Sequence, residues 1–455
     1  MTRLIVVKIE IALFFTLWCL YGALINSRNL EAFGLQQAGV EAYVERQHFY
    51  LEGSLIPQLH VRPVIDAFMH NDHIYPAKQP GQFMLGACAY APLRAVGLTY
   101  ARNYLLTAAL VTFLTASLVA AASSVALFRA ARLFTPTRGI FWPLIATLSY
   151  ALGSTVLAYS GIAWHDTLGT GYLAIGCYCI LRLPTARRPA LVGVGAGCFL
   201  GLTISTSMLP FTMAIVAAAF SVIQRPRVLP AILGGLLVGL SPMFIYNAIC
   251  FGNPLLLSNV IGNYRDTFFH PSFENFVDKG SFYLRMVTLY VPVFWFGLAG
   301  LAAFPRRLGR EQLFLMTMLG ALGLYILNID ANGTCQYGPR YLLPAMPIAC
   351  LGLIGFSFIK RPHLKHFVSF TVAGAAVVSF AINIVGAMHG AMLCDFPHAA
   401  FGRYISEMLH GDGTSFPLLY WLLVPGVLSA ALLVSAAWRN DQVHESAQDD
   451  SALER

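Results

Sequence analysis

The feature that most constrains this chain is a series of apolar runs, each roughly 17 to 25 residues long, that recurs from one end to the other. As a helix, a run of that length crosses about 30 Å of hydrocarbon. Hydrophobic residues make up 57% of the 455 positions and charged residues only 11%, whereas a soluble domain carries about 25% charged residues. The sequence therefore predicts an all-α polytopic membrane protein with about 11–13 transmembrane helices.

Basic residues lie in short clusters between the apolar runs, as in Arg306, Arg307 and Arg310. This pattern is typical of cytoplasmic loops. The net charge of +8 is therefore interpreted as a consequence of topology, with no nucleic-acid partner. We expect both termini to be cytoplasmic and the chain to lie in a bacterial inner (plasma) membrane, with any active site on the outer, periplasmic side.

The predicted organisation is a single transmembrane domain over residues 1–438, followed by a disordered cytoplasmic tail over 439–455. After the first span, the polar segment 26–82 forms an outer loop. Helical spacing of apolar residues within 35–50 predicts a helix lying in the membrane interface. The run 83–97 is short and contains a proline and an arginine, so it either spans or re-enters the membrane. The first span is expected near 4–25. The others are expected near 103–128, 140–160, 167–182, 190–206, 208–223, 228–250, 286–304, 312–327, 341–359, 367–392 and 416–438.

Two smaller patterns concern pairing and packing. Cys335 and Cys394 fall in predicted outer loops and either form a disulfide or remain two free thiols.

Gly193, Gly197 and Gly201 recur every four residues, a stripe that favours close helix packing.

The segment 71–82, which reads NDHIYPAKQPGQ, carries the most suggestive cation. Lys78 stands between Pro76 and Pro80, just before the chain re-enters apolar sequence. A stiff polar segment with one lysine at a membrane edge is suited to holding an anion.

Acidic candidates lie at two predicted outer turns. Glu31 follows the first span closely, where partial desolvation would raise its pKa towards the range of a general base; alternatively it is a solvated loop carboxylate. His165 and Asp166 occupy a very short turn between spans. Such residues are often functional, although Asp166 is equally suited to capping the following helix.

A third candidate site is the stretch 336–344, QYGPRYLLP. The guanidinium of Arg340 suits phosphate binding at the outer end of a span. The alternative is a membrane-edge anchor in an aromatic belt with Tyr337 and Tyr341. The chain has no P-loop, no G-x-G-x-x-G fingerprint, no H-E-x-x-H and no serine-nucleophile elbow. A nucleotide donor is therefore not indicated, and a lipid-linked donor is the natural substitute.

In order along the chain, these motifs resemble the GT-C type membrane glycosyltransferases that use polyprenyl-phosphate sugars, including protein O-mannosyltransferases and lipid A aminoarabinose transferases. The resemblance rests on Glu31, on the stretch YPAKQPG at 75–81, on the GS…YS…HD segment at 153–166, and on GPRYLLPAMP at 338–347. It implies catalytic roles for Glu31 and Asp166. It also implies phosphate or substrate contacts from Lys78, Arg340, His165, Tyr75 and Tyr337.

The chain departs from the family pattern at several points. The first-loop acid is often Asp or an Asp-Glu pair, but here it is a single glutamate, and the usual Lys-Pro-Pro is Lys78-Gln79-Pro80. There is no Asp-x-Asp, so no cofactor is firmly indicated and dependence on a divalent cation is left open.

The resulting hypothesis is an inverting glycosyltransferase that moves a sugar from a polyprenyl-phosphate donor to an unidentified glycan, lipid or protein acceptor at the outer face. The main alternative is a lipid-linked saccharide flippase or other transporter, in which the same cations would bind a lipid phosphate during translocation. Transporters tend to place polar residues at the midplane of related repeats, and neither feature is visible in the sequence. An accessory membrane subunit without chemistry is the third alternative.

Overall fold

The computed structural model describes residues 3–56, 66–135, 139–262, 269–331, 333, 336–391, 406, 410 and 417–437. The predictions for Cys335, for Cys394 and for the tail 439–455 concern residues outside these ranges.

The described chain is almost entirely helical, with one two-stranded hairpin. Its first half contains α1 Arg3–Ala23, α2 Ser27–Ala32, α3 Gly34–Glu45, β1 Ala67–His70, β2 His73–Pro76, α4 Gly81–Ala95, α5 Tyr104–Phe134, α6 Phe141–Ala151, α7 Thr155–Tyr159, α8 His165–Arg182, α9 Pro189–Thr206 and α10 Phe211–Gln224. Its second half contains α11 Leu229–Phe251, α12 Ser258–Ile261, α13 Phe273–Tyr290, α14 Val293–Ala302, α15 Gly309–Ile326, α16 Arg340–Phe358, α17 Pro362–His389 and α18 Tyr420–Ala437. The all-α polytopic fold predicted from the apolar runs is confirmed.

Seven helices in the described part are long and apolar enough to cross a membrane, or eight if the bent pair α13–α14 forms one span. Several predicted spans correspond to shorter or broken helices. Residues 140–160 form α6 and α7, and 286–304 include a bend of 107° between α13 and α14. Pro292 lies at the bend between α13 and α14, where a proline lacks the N–H that continues a helix. The break between α6 and α7 has no proline, and there Ser154 caps the start of α7.

Within 81–134, α5 is the helix that is long and apolar enough to cross a membrane. Helix α5 runs antiparallel to α1, since Trp18 Nε1 donates to the Phe113 carbonyl (2.9 Å) and Arg129 pairs with Glu10 (2.6 Å). The Tyr104 hydroxyl, at the start of α5, donates to the Leu30 carbonyl just beyond α1. Helix α4 begins beside α3, where Gln82 donates to Gln36, and leads into the start of α5. This arrangement favours the re-entrant over the spanning interpretation of 83–97.

Helix α3 matches the predicted interfacial helix, but its central residues are buried under α4. A Cβ added to Gly39 would meet the Phe83 ring at 2.5 Å, and one added to Gly86 would meet Val40 at 2.3 Å. The glycines thus allow the two helices to pack closely against each other.

The hairpin β1–β2 was not predicted from the sequence. The strands pair antiparallel, with Ala67 opposite Pro76 and His70 opposite His73. Asn71 and Asp72 form the two-residue turn, and both have positive φ, at 49° and 61°. Asn and Asp tolerate this conformation better than other non-glycine residues, so the pair suits a tight hairpin turn.

Candidate active site

The hairpin holds Lys78 beside an acid at the other end of the same segment. The Ala77 N–H donates to the Asp66 carbonyl (2.7 Å), which closes the base of the hairpin. Lys78 Nζ lies 2.9 Å from Asp66 Oδ2, and the lysine side chain is only 15% exposed. The short hairpin therefore pairs a mostly buried ammonium with a carboxylate that is 39% exposed.

The pKa of the Asp66 carboxyl reflects two opposing effects. Burial raises it, but the charge of Lys78 and the hydrogen bond from its ammonium lower it, with smaller contributions from His165 and Arg340. The net direction is downwards. Asp66 is therefore an anion in the electrostatic field of three basic side chains.

Asp166 lies at the first turn of α8 and is buried, with 1% exposure. Its Oδ1 accepts a hydrogen bond from Ser207 Oγ (2.6 Å), and its Oδ2 accepts one from Trp164 Nε1 (3.1 Å). The Nε2 atom of His165 lies 3.3 Å from Oδ1. These donors fix both carboxylate oxygens, and a buried carboxylate needs such partners to stay charged.

Arg340 lies at the start of α16 and extends towards the same acid. Its Nη1 lies 3.8 Å from Asp166 Oδ2. Its Cζ is 4.7 Å from the centre of the Tyr341 ring and 5.5 Å from that of Trp164. Lys78 Nζ is also 5.5 Å from the Trp164 ring. One indole thus contacts both cations, which stabilises them in a partly desolvated setting.

These residues surround one cavity of about 80 Å³. Its lining combines two cations, a carboxylate, amides, a histidine and apolar side chains: Ala77, Lys78, Gln79, His165, Asp166, Met208, Leu209, Asn259, Tyr325, Ile329, Arg340 and Tyr341. Two of the lining residues, His165 and Arg340, carry buried atoms, Nδ1 and Nε, with no hydrogen-bond partner in the described structure. Buried polar groups are normally satisfied, so both atoms are candidates for contact with a ligand.

Of the residues singled out from the sequence, four line this cavity: Lys78, His165, Asp166 and Arg340. Three do not. Glu31 is exposed on α2. Tyr75 packs in an aromatic cluster with Phe68 and Phe251. Tyr337 is fully buried, and its hydroxyl donates to the Ile382 carbonyl (2.6 Å).

Sequence reasoning did not single out Asp66, Ser207, Gln79 or Asn259. Asp66 was one of several acids in a long loop, and only the hairpin brings it onto Lys78. Ser207 and Asn259 approach the cavity through the ends of other helices, for which the sequence gives no local signal. Among the described residues, no group of three or more His, Cys, Asp and Glu side chains could hold a metal ion.

The chain shares its fold with solved structures of ArnT. It is similar to the crystal structure of ArnT from Cupriavidus metallidurans bound to undecaprenyl phosphate, with a TM-score of 0.53 and 14% identity over 96% of this chain and 76% of that chain. The apo state of the same protein gives 0.51 and 12% identity, over 95% and 76%. At these identities the similarity shows the fold alone.

A third similar structure is the archaeal oligosaccharyltransferase AglB from Archaeoglobus fulgidus in complex with an inhibitory peptide and a dolichol-phosphate. Its TM-score is 0.48 at 12% identity, over 86% of this chain and 57% of that chain. No family model matches the sequence, and no curated protein does.

Proposed function

We propose that this protein is a membrane glycosyltransferase that transfers a sugar from a polyprenyl-phosphate donor to an acceptor at the outer face of the membrane, with inversion at the anomeric carbon. The single observation that carries the proposal is the pair of cations, Lys78 and Arg340, on one buried cavity that also contains a fixed carboxylate. A bacterial inner membrane, with the site on its periplasmic side, is the setting we expect.

The two cations suit the charge that develops when a polyprenyl phosphate leaves. As the bond between the anomeric carbon and the phosphate oxygen breaks, negative charge accumulates on the phosphate. Arg340 offers a planar fork that matches phosphate oxygens, and Lys78 offers a point charge. In a site with little water, prepositioned charges of this kind are usually the largest contribution to the rate.

The second half of the reaction needs an acceptor oxygen on the opposite face of the sugar and a destination for its proton. The acceptor oxygen bonds to the anomeric carbon as the phosphate departs, which inverts that centre. Asp166 is held by Ser207 and Trp164, so we assign it to orienting the sugar or acceptor. His165 lies beside it and serves the same role.

Two carboxylates are candidates to take the proton. Glu31 is the one predicted from the sequence. Asp66 contacts Lys78 through Oδ2 at 2.9 Å, which leaves its Oδ1 to take the proton of an acceptor oxygen that approaches the anomeric carbon from the side away from the phosphate. We propose Asp66 as the base and retain Glu31 as the competing assignment.

Similarity in fold to ArnT supports a lipid-phosphate donor, because that protein's crystal structure is bound to undecaprenyl phosphate. The cavity itself is small, and a lipid-linked sugar extends beyond it towards the bilayer.

The test is a transfer assay with purified protein in lipid nanodiscs, labelled undecaprenyl-phosphate sugars and a bacterial membrane extract as the source of acceptor. We expect label to leave the donor, and the rate to fall about 10²- to 10⁴-fold in the variant that lacks the base. Asp66→Asn and Glu31→Gln are the two variants to compare. A wild-type protein that consumes none of the donors would contradict the proposed function, and a normal rate in Asp66→Asn would contradict the assignment of the base.

A further inference from the structure

Gln79 carries a buried amide that its own fold does not satisfy. The residue is 3% exposed and lines the cavity next to Lys78. Its Nε2 donates to Asn259 Oδ1 at 3.2 Å. Its Oε1 is buried and has no hydrogen-bond partner in the described structure. A buried oxygen without a hydrogen-bond partner destabilises the folded protein, unless a ligand donates a hydrogen bond to it.

Asn259 fixes the orientation of that amide. It lies on the four-residue helix α12, Ser258–Ile261, and is 7% exposed. Because its Oδ1 accepts from Nε2, Asn259 restrains the Gln79 amide at the wall of the cavity, and the amide oxygen is the end left without a partner. An amide whose orientation is fixed in this way is preorganised to form a hydrogen bond with a ligand.

The chemistry of Gln79 differs from that of the two cations in the same cavity. Lys78 and Arg340 supply the positive charge of the cavity, whereas Gln79 and Asn259 are uncharged. A phosphate is held best by cations, and a neutral amide is suited to a hydroxyl group, which can both donate and accept a hydrogen bond. In a lipid-phosphate sugar, the hydroxyl groups are on the sugar, immediately beyond the phosphate.

We propose that Gln79, held by Asn259, binds a hydroxyl group of the transferred sugar and thereby selects sugars that carry a hydroxyl at that position. This inference rests on the proposed function and names the part of the donor that the amide pair recognises. A site built to bond a hydroxyl rejects a ligand that lacks it, because a buried polar group is then left unpaired.

The test compares two lipids, so that recognition of the sugar is measured separately from recognition of the phosphate. Dissociation constants are measured for undecaprenyl phosphate and, in turn, for undecaprenyl-phosphate glucose, mannose and arabinose. The readout is the ratio between the constant for the plain lipid phosphate and that for the sugar-bearing lipid. In the wild type we expect this ratio to be about ten or more for at least one sugar.

Gln79→Leu removes the amide at nearly constant size and should reduce that ratio to about one while leaving the affinity for undecaprenyl phosphate unchanged. Gln82→Leu is the matched control. Gln82 lies three residues further on, is 5% exposed and also has an unpartnered Oε1, but it faces a separate small cavity next to Gln36. This variant should keep the wild-type ratio.

Three results would overturn the inference. A Gln79→Leu protein with the wild-type ratio shows that the amide does not contact the sugar. Parallel loss of both lipids shows that Gln79 acts on the phosphate or on folding. A wild-type protein that binds neither lipid contradicts the proposed function itself, and the inference fails with it.

Discussion

Lys78 Nζ lies 2.9 Å from Asp66 Oδ2, and these two residues flank one short β-hairpin. The hairpin turn, the strand pairing and the hydrogen bond from Ala77 to the Asp66 carbonyl all act to keep them together. A local fold of about a dozen residues therefore sets the position of the cation that we assign to the donor phosphate.

The Asp66–Lys78 pair makes stability depend on pH in a defined direction. The net lowering of the Asp66 pKa means that the pair's contribution is fully present above the unfolded pKa, about 3.9, and is lost as the pH falls through the lower folded value. Asp66→Asn should lower the melting temperature slightly near neutral pH, because a pair this exposed contributes at most about 1 kcal/mol. The difference from wild type should begin to shrink as the pH falls below about 4 and should vanish below the folded pKa.

The measurement is thermal unfolding of both proteins between pH 3 and pH 7. Asp278→Asn, at an exposed position on α13, is the control and should show no such convergence. A wild-type advantage that grows at low pH would contradict the assigned ion pair.

Ser207 positions Asp166. Removing its hydroxyl in Ser207→Ala takes away the shortest hydrogen bond to that carboxylate, worth about 1.5–3 kcal/mol for a bond to a charged group. We expect transfer activity to fall about tenfold or more, chiefly in kcat, because the acid is no longer held in place. Ser221→Ala is the control, since the Ser221 hydroxyl is equally buried but donates only to the Ala218 carbonyl within α10. Equal activity losses in the two variants would indicate a purely structural role for Ser207.

Trp164 contacts both cations through its ring. Trp164→Leu removes the aromatic face and should weaken binding of undecaprenyl phosphate about two- to thirtyfold, the range of a cation–π contact. Trp164→Phe keeps a ring and loses the N–H donated to Asp166, so it should retain more of the phosphate affinity while losing transfer rate. Identical phosphate affinities in the two variants would show that the ring itself contributes nothing.

Close contact between α9 and α11 depends on glycine. A Cβ added at Gly197 would lie 2.0 Å from the Ile232 carbonyl oxygen, a backbone atom that cannot move away alone. We therefore expect Gly197→Ala to lower the melting temperature by several degrees. Gly195→Ala, two residues away, would meet only the Cys179 sulfur at 4.0 Å and should be neutral or stabilising, because alanine favours a helix by up to about 1 kcal/mol. Equal melting temperatures in the two variants would show that the helices are not held this closely.

The sequence was informative where one residue carried its own signal. Lys78 stood alone between prolines, Asp166 stood in a very short turn and Arg340 stood at the edge of an apolar run, and all three line the cavity. The glycine stripe likewise predicted the packing that Gly197 shows. Each of these signals is local, so no knowledge of the tertiary fold was needed.

The remaining site residues depend on contacts between distant segments. Ser207 reaches Asp166 across 41 positions, and Gln79 reaches Asn259 across 180, separations that no local pattern reveals. Tyr337 looked like an aromatic at the membrane edge, but it packs in the core because a long-range bond to the Ile382 carbonyl satisfies its hydroxyl. The hairpin was missed because its strands are only four residues long and follow a stretch with no alternating pattern.

Binding of undecaprenyl phosphate to the purified wild-type protein and to Lys78→Ala tests the central claim most directly, with undecaprenol as the ligand that lacks the phosphate. The account predicts that the wild type prefers undecaprenyl phosphate to undecaprenol, and that Lys78→Ala loses about tenfold or more of the affinity for the phosphate. Lys365→Ala, at an exposed lysine of α17, should bind as the wild type does. Equal affinity of the wild type and Lys78→Ala for undecaprenyl phosphate would contradict the account.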